Sequence, residues 1–229
     1  TASAGGSLVD SRRLMSAARY PDESTGEPGT GSEYTVAYTY NQLGELLSLT
    51  DQNGTEHEYT RDGLGRVTLD AAVQFGVGSQ IDTSVLALGY TYDDLGRLQR
   101  ASSWDNVSGT GTPVNEVEFA YTPLWQIEAI YQAHDGAVDT APGESPAVRY
   151  GYATVPPSAT TPPSASNYSR VDYIDYPRDT RVALGYGDGL PSDPGSRISR
   201  PSRLGLGGLV NGQLVSLLVP FLVEYEHLG

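Results

Sequence analysis

The 229-residue chain contains no cysteine, which removes disulfide scaffolds, thiolate zinc sites and cysteine nucleophiles together. It contains no lysine either: all 14 basic residues are arginine, so Schiff-base lysines and a Walker-type phosphate lysine are excluded. Phe and Trp are scarce, at 3 and 2 residues beside 16 Tyr. Positive charge is also in short supply. The net charge of -14 and pI near 4.4 argue against nucleic acid, whose phosphates need clustered cations, and against anionic membrane surfaces on the same grounds. The most apolar stretch, Leu214 to Val223, is broken by Ser216 and Pro220. It falls short of the ~20 residues a membrane helix needs, so it reads as a buried or edge strand without membrane insertion. Thr1 to Gly6 is small and polar rather than an apolar signal core, and with no initiator Met a segment of a longer protein is expected.

What is abundant points to sheet. Hydrophobic residues make up 38% of the chain, and 27 Gly with 15 Pro imply many turns and few long helices. Tyrosine suits half-exposed pleated surfaces, where the ring packs and the hydroxyl stays wet.

An internal repeat sets the organisation. Tyr38-Thr39-Tyr40-Asn41-Gln42-Leu43-Gly44-Glu45-Leu46 recurs as Tyr59-Thr60-Arg61-Asp62-Gly63-Leu64-Gly65-Arg66-Val67 and as Tyr90-Thr91-Tyr92-Asp93-Asp94-Leu95-Gly96-Arg97-Leu98. A weaker fourth copy, Phe119 to Ile127, has Trp125 in place of the glycine. Tyrosines two apart in a strand project to one face, so Tyr38 with Tyr40 and Tyr90 with Tyr92 form an aromatic stripe. Asn or Asp then opens a four-residue reversal that Gly closes, the preference of a type I turn with the Asx side chain bonding the backbone ahead. Each unit reads as strand, turn, strand. Asp51-Gln52-Asn53-Gly54 supplies a further reversal containing Asn-Gly, a strong hairpin signal.

The fold class that follows is all-β, consecutive antiparallel hairpins forming a curved repeat sheet, as an open fragment of a larger shell. Residues 1–32 are Gly/Ser/Pro-rich and read as a poorly structured head, with one short helical stretch around Arg12 to Arg19. Residues 33–203 form the hairpin region. Gly76 to Ser84 and Asp105 to Asn115 are its loop tips, and Val155 to Ser169 is a Pro/Ser/Thr/Ala loop. Residues 204–229 read as apolar strands that start a further repeat.

At Tyr92-Asp93-Asp94-Leu95-Gly96-Arg97-Leu98 the sequence resembles the RHS or YD repeat family, whose unit is Tyr-Asp followed by Gly-Arg and an apolar residue. The motif residues are Tyr40, Asn41, Gly44, Asp62, Gly65, Arg66, Tyr92, Asp93, Gly96 and Arg97. Arg61 replaces the tyrosine of the second copy, and Asn41 and Glu45 replace the Asp and Arg of the first. The resemblance runs from Tyr34 to Ile130 and more loosely to Ile198. It implies a long β-ribbon spiralling into a hollow shell, as in bacterial toxin complexes and teneurins, with neighbouring repeats and an enclosed effector domain as partners. The family's aspartyl self-cleavage segment has an Asp-Pro-x-Gly core; Asp193-Pro194-Gly195 lacks a residue of it, so protease activity does not carry over.

Candidate chemistry is sparse. His57, His134 and His227 stand without a nucleophile elbow or a zinc-binding pair and read as surface or packing residues. Glu56 with Glu58, and Glu116 with Glu118, share a strand face at i, i+2; glycosidase work would need a second carboxylate ~5–9 Å across a cleft, so they read as a solvated face. The Asp51 turn lacks the spacing of a calcium loop. Asn106-Val107-Ser108 and Asn167-Tyr168-Ser169 match a glycosylation acceptor, which matters only in a eukaryotic source.

Three functional expectations follow. The first is a non-catalytic structural module of a secreted or cell-surface protein, with no cofactor and no metal. The second is a carbohydrate-binding or adhesion surface, with sugars stacking on Tyr38, Tyr40, Tyr90 and Tyr92. The third is a fragment of an enzyme whose active site lies elsewhere. Cut sheet edges and the 214–229 tail further predict salt-promoted self-association.

Overall fold

The computed structural model describes residues 8, 13–76, 81–152, 170–185, 203–210, 213–215 and 223–224. Two compact units are present: Thr1–Val117 with Ala133–Val138, and Glu118–Gln132 with Asp139–Gly229. Among the described residues the first unit holds β1 (Ala17–Arg19), β2 (Thr35–Tyr40), β3 (Leu46–Thr50), β4 (Glu56–Arg61), β5 (Val67–Gln74), β6 (Ala87–Tyr92), β7 (Leu98–Trp104) and the opening of β8 (Asn115–Tyr121). The second holds the rest of β8, most of β9 (Ile127–Ala133), β10 (Ala147–Tyr152), β11 (Val171–Tyr176), β12 (Thr180–Gly185), β13 (Arg203–Val210), β14 (Gln213–Val215) and β15 (Val223–Glu224). Within each unit strands adjacent in sequence are adjacent in the sheet, save that β15 pairs with β13. The fold is thus all-β and antiparallel, built hairpin after hairpin.

Register assigns the faces of the first unit, because residues directly opposite one another project to the same side. One face carries Thr39, Ser48, Glu58, Ala71, Ala87 and Trp104 in cross-strand succession. Its most buried members are small, Ser48, Ala71 and Ala87, and the Thr39 and Ser48 hydroxyls share a 2.8 Å hydrogen bond. The other face carries Tyr38, Leu49, His57 and Ala72, then Tyr59, Asp70, Leu88 and Ser103. Tyr38, Tyr59 and Tyr90 are half-buried there, the setting that tyrosine's amphipathic ring suits.

In all three motif hairpins the register slips by one residue at the same place: between Thr39 and Tyr40, Thr60 and Arg61, and Thr91 and Tyr92. These are β-bulges. A bulge re-aims the side chain beside it, so the even Tyr38–Tyr40 and Tyr90–Tyr92 stripe expected from period two is interrupted, with consequences for the site.

The head departs from expectation. Ala17–Arg19 is a strand and not a helix, paired with Ala37, Val36 and Thr35, and Pro21 bridges Pro28. β2 would otherwise expose a row of backbone groups, and covering that edge outweighs a weak local helix preference. Val155 to Ser169, the Asp193 segment and most of Leu214 to Val223 lie outside the described residues; Leu214 and Val215 belong to β14 and Val223 to β15.

Candidate functional site

Each motif copy builds the same tip. The N–H of Asp62 donates to the Arg66 carbonyl at 3.0 Å and the Gly65 N–H donates to the Asp62 carbonyl at 3.0 Å; Asp93 with Gly96 and Arg97, and Asn41 with Gly44 and Glu45, repeat both bonds. The glycines sit at φ 80, 82 and 84 for Gly44, Gly65 and Gly96. This is the three-residue hairpin loop that ends in a left-handed residue, where glycine has no Cβ penalty. The Asx side chain completes it: Asp62 Oδ1 accepts the N–H of Leu64 at 2.9 Å and of Arg66 at 3.1 Å, and Asp93 Oδ1 those of Leu95 and Arg97 at 3.0 and 2.9 Å. The turn on the opposite edge follows suit, with Asp51 Oδ1 accepting from Asn53 and Thr55 and Gly54 at φ 85.

The second carboxylate oxygen explains the motif arginine. Arg66 Nε donates to Asp62 Oδ2 at 2.7 Å with Nη2 at 2.6 Å, and Arg97 holds Asp93 in the same way at 2.7 Å from both nitrogens. Such forked, charge-assisted contacts are the strong class of hydrogen bond. The Arg66 guanidinium, followed by the backbone N–H donors, holds the Asp62 carboxyl below the usual carboxylate range. At Asp93 burial pushes upward, yet the N–H and guanidinium of Arg97 together bring the net shift down. The first copy reaches the same contact with its roles reversed: Asn41 Nδ2 donates to Glu45 Oε2 at 2.6 Å. Asn for Asp and Glu for Arg is therefore a compensated pair rather than a loss of the motif.

The motif tyrosine is a latch between hairpins. Tyr92 donates its hydroxyl to the Val67 carbonyl at 2.8 Å, Tyr40 to Met15 at 2.7 Å, and Tyr152 to Ile127 at 2.9 Å, each spanning 25 residues. Val67 and Ile127 are the apolar residues that begin the strand after the preceding tip. Arg61, which stands where the second copy lacks tyrosine, donates from Nε and Nη2 to the carbonyl of Leu46, the equivalent apolar residue, at 3.4 and 3.2 Å. Arg66 also lies 4.2 Å from the centroid of the Tyr92 ring, within cation–π range, so one arginine closes its own tip and covers the next latch. Of the four tyrosines considered for sugar stacking, Tyr40 and Tyr92 thus have hydroxyls spent on backbone, and one face of Tyr92 is covered. Tyr38 and Tyr90 are half-buried on the strand face.

Two arrangements were not legible in the sequence. His57 Nδ1 lies 2.6 Å from Asp70 Oδ1, a pair 13 residues apart that only the β4–β5 register brings together. Glu116 corrects the solvated-face reading: it is 4% exposed, accepts the Ser102 hydroxyl at 2.6 Å and the Val138 N–H at 3.1 Å, and lies 3.4 Å from Arg100. Burying a carboxylate is tolerated because three donors replace its water. Glu58 and His134 are exposed and Glu56 is half-buried, while His227 lies outside the described residues. Among the described residues no group of three or more His, Asp or Glu is placed to hold a metal.

No protein-family model and no curated protein matches the chain. Among solved structures it is similar to TcdB2-TccC3-TEV, at 12% identity and TM-score 0.43 over 84% of this chain and 10% of that one. A Photorhabdus luminescens Tc holotoxin pore with a mutated TccC3 is similar at 12% identity and TM-score 0.36 over 86% and 10%. TcdB2-TccC3 without its hypervariable C-terminal region is similar at 13% identity and TM-score 0.30 over 84% and 10%. The chain spans about a tenth of the length of these chains.

Proposed function

We propose that this chain is a non-catalytic structural module, a run of RHS/YD-type hairpins within a larger secreted or cell-surface protein, whose sheet encloses or presents another domain. The observation that carries this reading is where the motif side chains point their bonds. Asp and Gly are bonded within a tip, Arg66 and Arg97 grip their own tip's aspartate with Arg66 also covering the Tyr92 ring, and the tyrosine hydroxyl donates to the backbone of the preceding hairpin. Residues repeated for ligand binding would keep polar groups free for a ligand; these are spent on propagating the sheet, as expected when each unit is stabilised by its neighbours.

Two experiments test it. The coding sequence flanking this segment should contain further Tyr-Asp-x-x-Gly-Arg hairpins and a domain of different composition; flanks without either would overturn the wall reading. A glycan array probed with the purified chain should give no specific signal. A signal abolished by Tyr38→Ala or Tyr90→Ala would instead support a carbohydrate-binding surface.

A further inference from the structure

The head of the chain occupies a place in the sheet that its residue types conceal. Wherever a strand returning from a tip meets the next outgoing strand, the same relations recur, and β1 satisfies each of them. The first is register. Counted from the residue that receives the latch, the second residue on is Leu69 opposite Gly89, or Ala129 opposite Arg149; the fourth is Ala71 opposite Ala87, or Tyr131 opposite Ala147. Ala17 opposite Ala37 and Arg19 opposite Thr35 hold the same places counted from Met15. The latch is the second relation, spanning 25 residues at Tyr40–Met15 as at Tyr92–Val67 and Tyr152–Ile127. The third is what lies beneath the next glycine. A Cβ placed on Gly65 or Gly96 would meet Glu45 or Arg66, the residue just before the latch receiver, and one placed on Gly44 would meet Leu14.

Leu14 and Met15 therefore stand where Arg66 and Val67 stand, and in the sequence Asp10 falls on the position of Asp62 and Arg13 on that of Gly65. β1 is the returning strand of a further, degenerate unit. Its outer edge is open. The N–H of Tyr38 donates to Ser16 and that of Tyr20 to Tyr34, so residues 16, 18 and 20 bond along β2 while Ala17 and Arg19 turn their backbone groups outward. Both residues are exposed, and among the described residues β1 ends the sheet. In the β4–β5 hairpin Thr60 stands opposite Leu69, which would set Leu8 opposite Ala17. Instead the Leu8 N–H donates to the Tyr40 carbonyl at 2.6 Å, at the far end of β2. The same register puts Glu58 opposite Ala71, whose counterpart in β1 is Arg19, and opposite charges directly across a strand pair attract.

We propose that the outer edge of β1 is the docking site for one antiparallel strand, the outgoing strand of a neighbouring repeat in the parent protein, of the kind that β4 supplies to β5. The incoming strand bonds to the backbone of Ala17 and Arg19 and sets a carboxylate against the Arg19 guanidinium. Main-chain bonds supply the attachment and the facing charge selects the register. This rests on the repeat reading above, and not on the sheet enclosing another domain.

The test replaces residues 1–9 of the full chain by a copy of residues 53–61, so that Asp10 follows the copied arginine as Asp62 follows Arg61, and reads amide hydrogen exchange. In the parent chain the Ala17 and Arg19 amides should exchange fast, and the Ala18 amide, bonded to β2, slowly. In the graft the Ala17 and Arg19 amides should slow by at least about tenfold. A graft of the same nine residues in scrambled order should leave them fast, and Arg19→Glu in the matched graft should reverse most of the slowing at Ala17. No slowing in the matched graft while Ala18 stays protected, or equal slowing in the scrambled one, would overturn the proposal. Slow Ala17 and Arg19 amides in the parent chain would overturn it too, in favour of cover by residues 1–9, or by a second copy where the slowing grows with concentration. Flanking coding sequence without further hairpins would instead remove the repeat reading, a separate result from this measurement on the chain alone.

Discussion

The tips at Asp62–Arg66 and Thr122–Gln126 follow the same backbone path with almost no side chain in common. Thr122 replaces the aspartate, Trp125 the glycine and Gln126 the arginine, yet the N–H of Thr122 still donates to Gln126 at 2.8 Å and that of Trp125 to Thr122 at 3.0 Å. The difference lies in what reinforces the path. Asp62 accepts at 2.9 and 3.1 Å and grips a guanidinium, while the Thr122 hydroxyl accepts at 3.3 Å twice and donates to Gln126 at 3.2 Å. Trp125 holds φ 69, a region that costs a side-chain-bearing residue roughly 1–2 kcal/mol. The strands and their length thus suffice to form a tip, and the motif residues set how firmly it is held.

The largest expected effect breaks the firm side of this comparison. Asp93→Ala removes the acceptor for two N–H groups and the forked contact with Arg97, and should cost about 2–3 kcal/mol in urea unfolding, near the sum of two neutral hydrogen bonds and a charged one. Thr122→Ala should cost no more than about 1 kcal/mol, because its bonds are longer and neutral. Equal losses would mean that the motif side chains do not reinforce the tip.

The weak side can be strengthened. Trp125→Gly relieves the positive φ, worth roughly 1–2 kcal/mol, but gives up the contacts of an indole that is 60% exposed and adds unfolded-state entropy, so the net stabilisation should stay below about 1 kcal/mol. The matching change at a firm tip, Gly65→Trp, should destabilise. Thermal unfolding of both variants provides the check, and a loss of stability in Trp125→Gly would show that the ring does more than occupy the turn.

A smaller effect separates the reversed pair. Asn41→Asp sets a carboxylate against Glu45, now bonded to Asn41 at 2.6 Å, and should cost about 1 kcal/mol at neutral pH. The double variant Asn41→Asp, Glu45→Arg should recover it, giving a coupling that a double-mutant cycle reads directly. The Asn41→Asp cost should also shrink below about pH 4, where carboxylates protonate. Acid acts in the opposite sense at Asp62. Its folded-state value is lowered, so its contribution is fully present above the unfolded value of ~3.9 and is lost as pH falls through the folded one. The Thr122 tip has no carboxylate and should not respond; amide hydrogen exchange of Leu64 and Leu124 across this range distinguishes them.

Much of this was legible in the sequence because it is local. The hairpins, their Asx-to-Gly reversals and the all-β class follow from spacing within nine residues, and the tips formed where Asn41, Asp62 and Asp93 predicted them. Three kinds of fact were not local. The bulges beside Tyr40, Arg61 and Tyr92 depend on pairing register, and they turn a tyrosine stripe into a series of latches. The His57–Asp70 pair and the burial of Glu116 need partners 13 to 22 residues away, on a neighbouring strand or, for Val138, in the loop after β9. The head became β1 because β2 had an edge to cover, a demand that residues 12–19 do not themselves announce. The compensation of Asn41 by Glu45, and of tyrosine by Arg61, lies in bonds that the replaced residue types do not themselves announce.

The claim that the repeated tyrosines serve the sheet and not a ligand is tested most directly by comparing two hydroxyl deletions. Tyr92 donates to Val67, whereas no hydrogen bond is formed by the Tyr38 hydroxyl among the described residues. Urea unfolding of Tyr92→Phe and Tyr38→Phe should show a loss of about 1 kcal/mol for the first and essentially none for the second. Equal stabilities for both variants and the parent chain would contradict the latch and return these tyrosines to the list of candidate ligand contacts.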